Sequence, residues 1–185
     1  MALELTGARP MTEVCAMTDV PLEIERKLLV DVTELDALVA ASTSVSAITQ
    51  TYLVNHDGLA ERVRRREVRS RDGALVQLTH TSKRAVSAGV VEEEEHEVDE
   101  AQYAALLERA DAARTPIVKT RYVVPWAGRV LEVDAFASPR EFWMLEVELP
   151  GTDDLDAPLD LPPWLHVTAE VTGDPAYANW TLALR

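Results

Sequence analysis

The chain has 185 residues, with 32 acidic side chains against 18 Lys plus Arg, a net charge of −14 and 47% hydrophobic residues. That apolar content excludes an acidic disordered tail, and the charge argues against a nucleic-acid partner, which needs clustered cations. One cysteine, Cys15, excludes an internal disulfide framework, and no apolar run approaches the ~20 residues that cross a bilayer, so the expectation is a soluble, cytoplasmic domain without membrane or nucleic-acid partners.

Residues 1–20 carry Gly7, Pro10, Met11 and Met17 without a sustained period and are expected to be a flexible leader, with one domain over 21–185. Order is expected from a strand at 21–31. A helix should follow at 32–41, capped by Thr33, with Leu35, Leu38 and Val39 as its apolar stripe. A strand at 47–54 runs into Asn55-His56-Asp57-Gly58, and strands at 59–69 and 74–84 flank Arg71-Asp72-Gly73; both tetrads and triads of this kind signal hairpins. The segment 90–98 is extended, with acids on both faces. Asp99, with Gln102 three residues on, forms a capping box for a helix at 99–112 whose face is Tyr103, Leu106, Leu107 and Ala110. Strands at 117–126, 128–136 and 142–149 precede an Asp/Pro-rich loop at 152–163, and Asp174-Pro175 starts a short closing helix. About eight strands with short helices make an antiparallel α+β domain, and a sheet of that size commonly curls into a barrel or a strongly curved sheet.

Charged pairs two residues apart recur from strand to strand: Glu23, Glu25 and Lys27; Arg62 and Arg64; Glu93 and Glu95; Lys119 and Arg121; Glu132 and Asp134; Glu146 and Glu148. Lys83 ends a strand whose same-face positions Gln77, Thr79 and Thr81 are polar. Residues i and i+2 share a strand face ~6.8 Å apart, so two such carboxylates can close on a divalent ion, and oxygen ligands suit Mg²⁺ or Mn²⁺. Cations from neighbouring strands would then hold a polyanion. The alternative is the solvated outer face of an ordinary half-buried sheet. Two features count against it. Arg26, Arg65, Glu92 and Glu94 occupy the opposite face, and the charges segregate: residues 60–84 hold 8 basic and 3 acidic side chains, whereas 131–148 holds five acids and Arg140 alone. The four histidines and the four tryptophans (Trp126, Trp143, Trp164 and Trp180) read as plain strand, surface or packing residues.

The run Glu23-Ile24-Glu25-Arg26-Lys27 resembles the opening E-x-E-x-K signature of the CYTH superfamily, the triphosphate tunnel metalloenzymes. The resemblance continues in order through Gln50-Thr51-Tyr52-Leu53, Arg62-Val63-Arg64, Thr81-Ser82-Lys83, Glu93-Glu94-Glu95, Lys119-Thr120-Arg121-Tyr122, Glu132-Val133-Asp134, Glu146-Val147-Glu148 and Val171-Thr172-Gly173-Asp174 with Tyr177 and Asn179. It implies an eight-stranded antiparallel β-barrel, the triphosphate tunnel, with flanking short helices. It further implies Mg²⁺- or Mn²⁺-dependent hydrolysis of inorganic triphosphate or a related organic triphosphate. Carried over, Glu23, Glu25, Glu132, Asp134, Glu146 and Glu148 bind metal; Lys27, Arg62, Arg64, Lys83, Lys119 and Arg121 bind substrate; Glu25, Lys27 and Lys83 carry catalysis. Glu93 and Glu95 match the family's inner E-x-E. Two departures stand out: Val91 occupies the usual arginine position of that strand, and the closing segment 174–184 has no basic residue. Arg65, Arg66 and Lys119 are the candidates to compensate. Adenylyl cyclase, thiamine triphosphatase and a non-catalytic triphosphate- or polyphosphate-binding module are the alternatives, and a homodimer is left open.

Overall fold

The computed structural model describes residues 22–54, 59–70, 73–87 and 90–184. The expected leader with Cys15, the turn at 55–58 and Arg71-Asp72 lie outside those residues. In chain order the elements are β1 (Leu22–Val32), α1 (Leu35–Ala41), β2 (Ser44–Tyr52), β3 (Ala60–Ser70), β4 (Gly73–Ser87), β5 (Val90–Glu97) and α2 (Glu100–Leu107). β6 (Ile117–Trp126), β7 (Arg129–Ser138), β8 (Phe142–Glu148), β9 (Leu165–Glu170) and α3 (Asn179–Leu182) complete the chain. Single 3-10 turns at Thr152–Asp154 and Pro175–Tyr177 join the last elements.

Every strand pairing is antiparallel. The order across the sheet is β5-β4-β3-β2-β6-β7-β8-β1-β9, and β5 also pairs with β1. That last pairing spans three residue pairs, Leu22↔Glu92, Glu23↔Val91 and Ile24↔Val90. Eight strands therefore curl until the first meets the eighth along a short seam, as expected for a tunnel. The sequence pattern fits this curl, since charged and apolar residues alternate along β1, β3 and β7, and a two-residue loop keeps β6 beside β7. Ala127 and Gly128, both at positive φ (47° and 76°), form such a loop between β6 and β7, the backbone twist that tight hairpins favour.

Two apolar clusters hold the curl in shape. One lies on its outside, where Leu28, Val30, Val124, Leu131, Val133, Leu145 and Val147 pack with Leu38 of α1 and with Leu149, Trp164 and Leu165. The second closes one end of the interior. There Tyr52, Ile117, Phe136 and Met144 meet Val171, Leu182 and Ala183 of the C-terminal segment, with Trp180 edge-on to Tyr52 at 5.1 Å. The closing helix thus contributes apolar packing, in keeping with its lack of cations.

The structure corrects several expected boundaries. β9 was not foreseen: five of its six residues are exposed, so it lacks the alternation that marks a strand, and only its register with β1 creates it. The described residues form nine strands. The helix expected at 32–41 starts at Leu35, because Val32 pairs with Leu165 and both the amide and the hydroxyl of Thr33 donate to the Trp164 carbonyl. Thr33 is therefore no cap, and of the expected stripe only Leu38 is buried. α2 keeps its capping box, Asp99 accepting from the Gln102 amide and Gln102 from the Asp99 amide. It ends at Leu107, where the backbone of Arg109 and Asp111 is bonded to Val54 and Tyr52 instead. Asp174 caps the turn beginning at Pro175, but that turn breaks at Ala178 before α3.

Candidate functional site

Alternation on β3 turns Arg62, Arg64 and Arg66 into the curl, while Val63 is buried on the other face and exposed Arg65 pairs there with Glu67. Opposite them on β4 stand Thr81, Thr79 and Gln77. β5 supplies the acids: Glu93 lies 3.4 Å from Arg62 and 2.7 Å from Lys83, and Glu95 lies 3.6 Å from Arg64 and accepts from the Thr81 hydroxyl at 2.7 Å. These contacts make Glu93 and Glu95 the inward pair of the Glu92–Glu95 run. Arg64 Nε donates to Gln50 Oε1 (3.2 Å) and Arg66 Nε to Ser46 Oγ (2.9 Å), both acceptors provided by β2. Burial, followed by the neighbouring charge of Arg62, pulls the Arg64 guanidinium down to about 10. The basic wall is incompletely matched. Gln50 and Arg62 are 1% and 4% exposed, yet Gln50 Nε2 and Arg62 Nε have no hydrogen-bond partner among the described residues.

The wall formed by β6, β7, β8 and β1 is saturated. Lys119 Nζ sits 2.5 Å from Asp134 and 3.8 Å from Glu146. Arg121 donates to both oxygens of Asp134 (2.7 and 2.6 Å) and also to Glu132 and Glu146. Lys27 lies 2.9 Å from Glu25 and 3.2 Å from Glu146. The registers explain the set, since Arg121 is opposite Asp134, Glu132 opposite Glu146 and Glu146 opposite Lys27. The charges shift one another as expected for a buried cluster. Burial lowers Lys27, but Glu146 and Glu25 outweigh it and hold the ammonium above its ordinary value. Burial and Arg121 together lower Lys119. Burial raises Glu146, but Lys119, Lys27 and Arg121 drive its carboxyl well below the usual range, whereas burial keeps Glu132 raised against the pull of Arg121.

Of the acids expected to bind metal, Glu25 and Glu148 stand directly opposite each other on β1 and β8, with Glu148 exposed. Glu132 and Glu146 form the next opposing pair, and Asp134 has both oxygens taken by cations. The side chain of Glu23 lies outside the described residues, as does that of Val91. Among the described residues no group of three or more His, Cys, Asp or Glu is gathered to hold an ion. The donor set nonetheless fits Mg²⁺ or Mn²⁺, because such ions are commonly held by one or two carboxylates together with substrate phosphates, and opposed Glu25–Glu148 supplies that. Of the candidates to replace the arginine missing at Val91, Arg65 faces outward. Arg66 faces inward, and Lys119 does so against Asp134. His56 lies outside the described residues; His96 and His166 are exposed, and His80 sits 3.5 Å from Glu61.

Sequence reasoning gave Gln50 and Tyr52 no role beyond a motif match, and Arg66 only that of a substitute for the missing arginine. All three continue the same period-two faces on β2 and β3, and that phase was the signal available.

A scan of known protein families finds no match, and a search of curated proteins finds none. Solved structures do match. The crystal structure of the inorganic triphosphatase NE1496 is 30% identical over 88% of this chain and 95% of its own, with a TM-score of 0.54. A structure of the hypothetical protein NE1496 matches at 29% identity, 88% and 98% coverage and TM-score 0.54. The PH1819 protein from Pyrococcus horikoshii OT3 shares the fold at 18% identity, covering 72% of this chain and 81% of its own with a TM-score of 0.54. With a curled antiparallel sheet, inward-facing basic and acidic strands and this likeness, the chain belongs to the CYTH-type triphosphate tunnel family.

Proposed function

We propose that the protein hydrolyses inorganic triphosphate, or a related organic triphosphate, with Mg²⁺ or Mn²⁺. The observation that carries this reading is the unmatched basic wall. Among the described residues, buried donors on Arg62 and Gln50 lack acceptors beside Arg64, whose charge burial and Arg62 disfavour. Phosphate oxygens would satisfy all three. The likeness to the inorganic triphosphatase NE1496 supports the same substrate class.

In this mechanism Arg62, Arg64 and Lys83 bind the non-bridging oxygens and fix the chain along β3 and β4. Lys27, kept charged by Glu146 and Glu25, donates to a phosphate oxygen and cannot act as a base. Glu25 and Glu148, with the Glu132–Glu146 pair beneath them, would hold the metal. When bound, the divalent ion supplies charge neutralisation and an acidified water. Lys119 and Arg121 orient the acids from below. Phosphoryl transfer needs chiefly such positioning and charge compensation.

The test is phosphate release from tripolyphosphate, ATP and thiamine triphosphate with Mg²⁺, with Mn²⁺ and with EDTA. Release is expected with metal alone, and fastest from one of these substrates. Undiminished release after complete metal removal would sink the metal-dependent mechanism. Tight calorimetric binding without turnover in any metal would make the protein a binding module.

A further inference from the structure

β1 changes neighbours halfway along its length. On one side it pairs with β8 from Glu25 to Leu29. On the other it leaves β5 at Ile24 and joins β9 only at Leu28. Lys27 falls in that gap, so its outward backbone groups have no strand to bond to. They are met by the segment after β9. The Lys27 amide donates to Thr172 Oγ1 at 3.0 Å, and the Val171 amide donates to the Lys27 carbonyl at 2.8 Å. The Thr172 hydroxyl in turn donates to Glu170, whose carboxylate also accepts from Arg26 Nε at 3.2 Å and Nη2 at 2.5 Å. Arg26 Nη1 donates to the Ala157 carbonyl at 2.5 Å. A hydroxyl accepts and donates at once, so a Glu170 carboxylate that accepts the hydroxyl's hydrogen bond leaves its lone pairs for the Lys27 amide.

We propose that Thr172 is a positioning residue for Lys27. Through the Lys27 amide it fixes the strand segment from which the lysine side chain reaches Glu25 and Glu146. The Arg26–Glu170 pair on the outer face keeps its hydroxyl turned for that task. The acceptor is what matters at position 172: valine has the same shape but no acceptor, so the half-buried amide would be left unbonded, a costly state. The role of Lys27 in triphosphate binding rests on the function proposed above; the clamp itself does not.

The experiment compares Thr172→Val, Thr172→Ser and Glu170→Ala in the full chain. Hydrogen exchange of the Lys27 amide reads the clamp without any substrate. Exchange should accelerate about tenfold or more in Thr172→Val, stay near the parent rate in Thr172→Ser and rise less in Glu170→Ala. Steady-state phosphate release from tripolyphosphate should show about a tenfold rise in KM for Thr172→Val, a smaller change in kcat and rescue by serine. Should Thr172→Val not fold, Glu170→Ala, altered at an exposed carboxylate, still tests the relay through both readouts. Unchanged Lys27 exchange in both Thr172→Val and Glu170→Ala would overturn the clamp. Equal losses in Thr172→Ser and Thr172→Val would also overturn it, since only size would then matter. If the parent protein released no phosphate from any substrate, the proposed function would fail, while the exchange result would still decide the clamp.

Discussion

The two charged walls of the tunnel differ in how their charges are met. On the β6–β7–β8–β1 side, Arg121, Lys119 and Lys27 are enclosed by Asp134, Glu146, Glu132 and Glu25, with Lys119 2.5 Å and Arg121 2.6 Å from Asp134. On the β3–β4–β5 side, Arg62 and Arg64 meet their glutamates at 3.4 and 3.6 Å, and buried donors lack partners among the described residues. Cations of the same type thus serve two ends. The first group is held within the acidic wall. The second meets its acids at longer range. Counting basic residues, or even placing them on inward faces, does not separate these roles.

The comparison breaks most visibly if stability and activity do not part along it. Arg121→Ala should lower unfolding stability by about 3–5 kcal/mol, because it strips a buried carboxylate cluster of its main partner. Arg64→Ala should lower stability by about 1–2 kcal/mol, the loss of a long ion pair and of one bond to buried Gln50; parallel urea or thermal melts check both values. Comparable melting losses in the two variants would erase the distinction between the walls.

Turnover should sort the other way among variants that stay folded. Arg62→Ala and Arg64→Ala should each reduce kcat/KM for tripolyphosphate by roughly 10²–10³-fold, the scale of a lost donor to developing phosphate charge. Glu25→Gln and Glu148→Gln should cause a loss of similar order, and raise the Mg²⁺ or Mn²⁺ concentration needed for half-maximal rate. Near-normal kinetics at Glu25 and Glu148 would remove them from the metal site.

A smaller effect concerns acid. Burial raises the Glu95 carboxyl, but Arg64 and the Thr81 hydroxyl outweigh it and leave it below the ordinary glutamate value. A depressed folded-state pKa contributes stability above the unfolded pKa and loses it as pH falls through the folded one. Glu95→Gln should therefore flatten the decline in melting temperature below about pH 4.3. An unchanged acid limb would show that Glu95 is not held by the basic wall. The smallest effect is expected at Arg65→Ala. This arginine faces outward against exposed Glu67, so stability should move by less than about 0.5 kcal/mol and kcat/KM not at all. A clear loss of turnover there would reopen Arg65 as the substitute for the arginine missing at Val91.

Much of the site was legible because a strand's alternation is a local property. Arg62 with Arg64, Lys119 with Arg121 and Glu146 with Glu148 had to share faces wherever those segments were extended, and the ordered motifs placed them in a known family. The capping box at Asp99 and Gln102 was equally local. β9 was not legible, since a mostly exposed edge segment has no pattern of its own and exists through its pairing with β1. Thr33 misled because capping competes with tertiary bonding, and Trp164 took both of its donors.

By itself, then, the sequence determined which charges stand together on each strand. Only the tertiary structure decided which strands became neighbours. β1 lies beside β8, so that Lys27 faces Glu146, and β2 separates β3 from β6, so that Arg64 reaches Gln50 while Arg121 reaches Asp134. These pairings join residues distant in the chain. They depend on how the whole sheet curls, which no local pattern encodes, and they divide equivalent-looking cations into those closely enclosed by acids and those met at longer range.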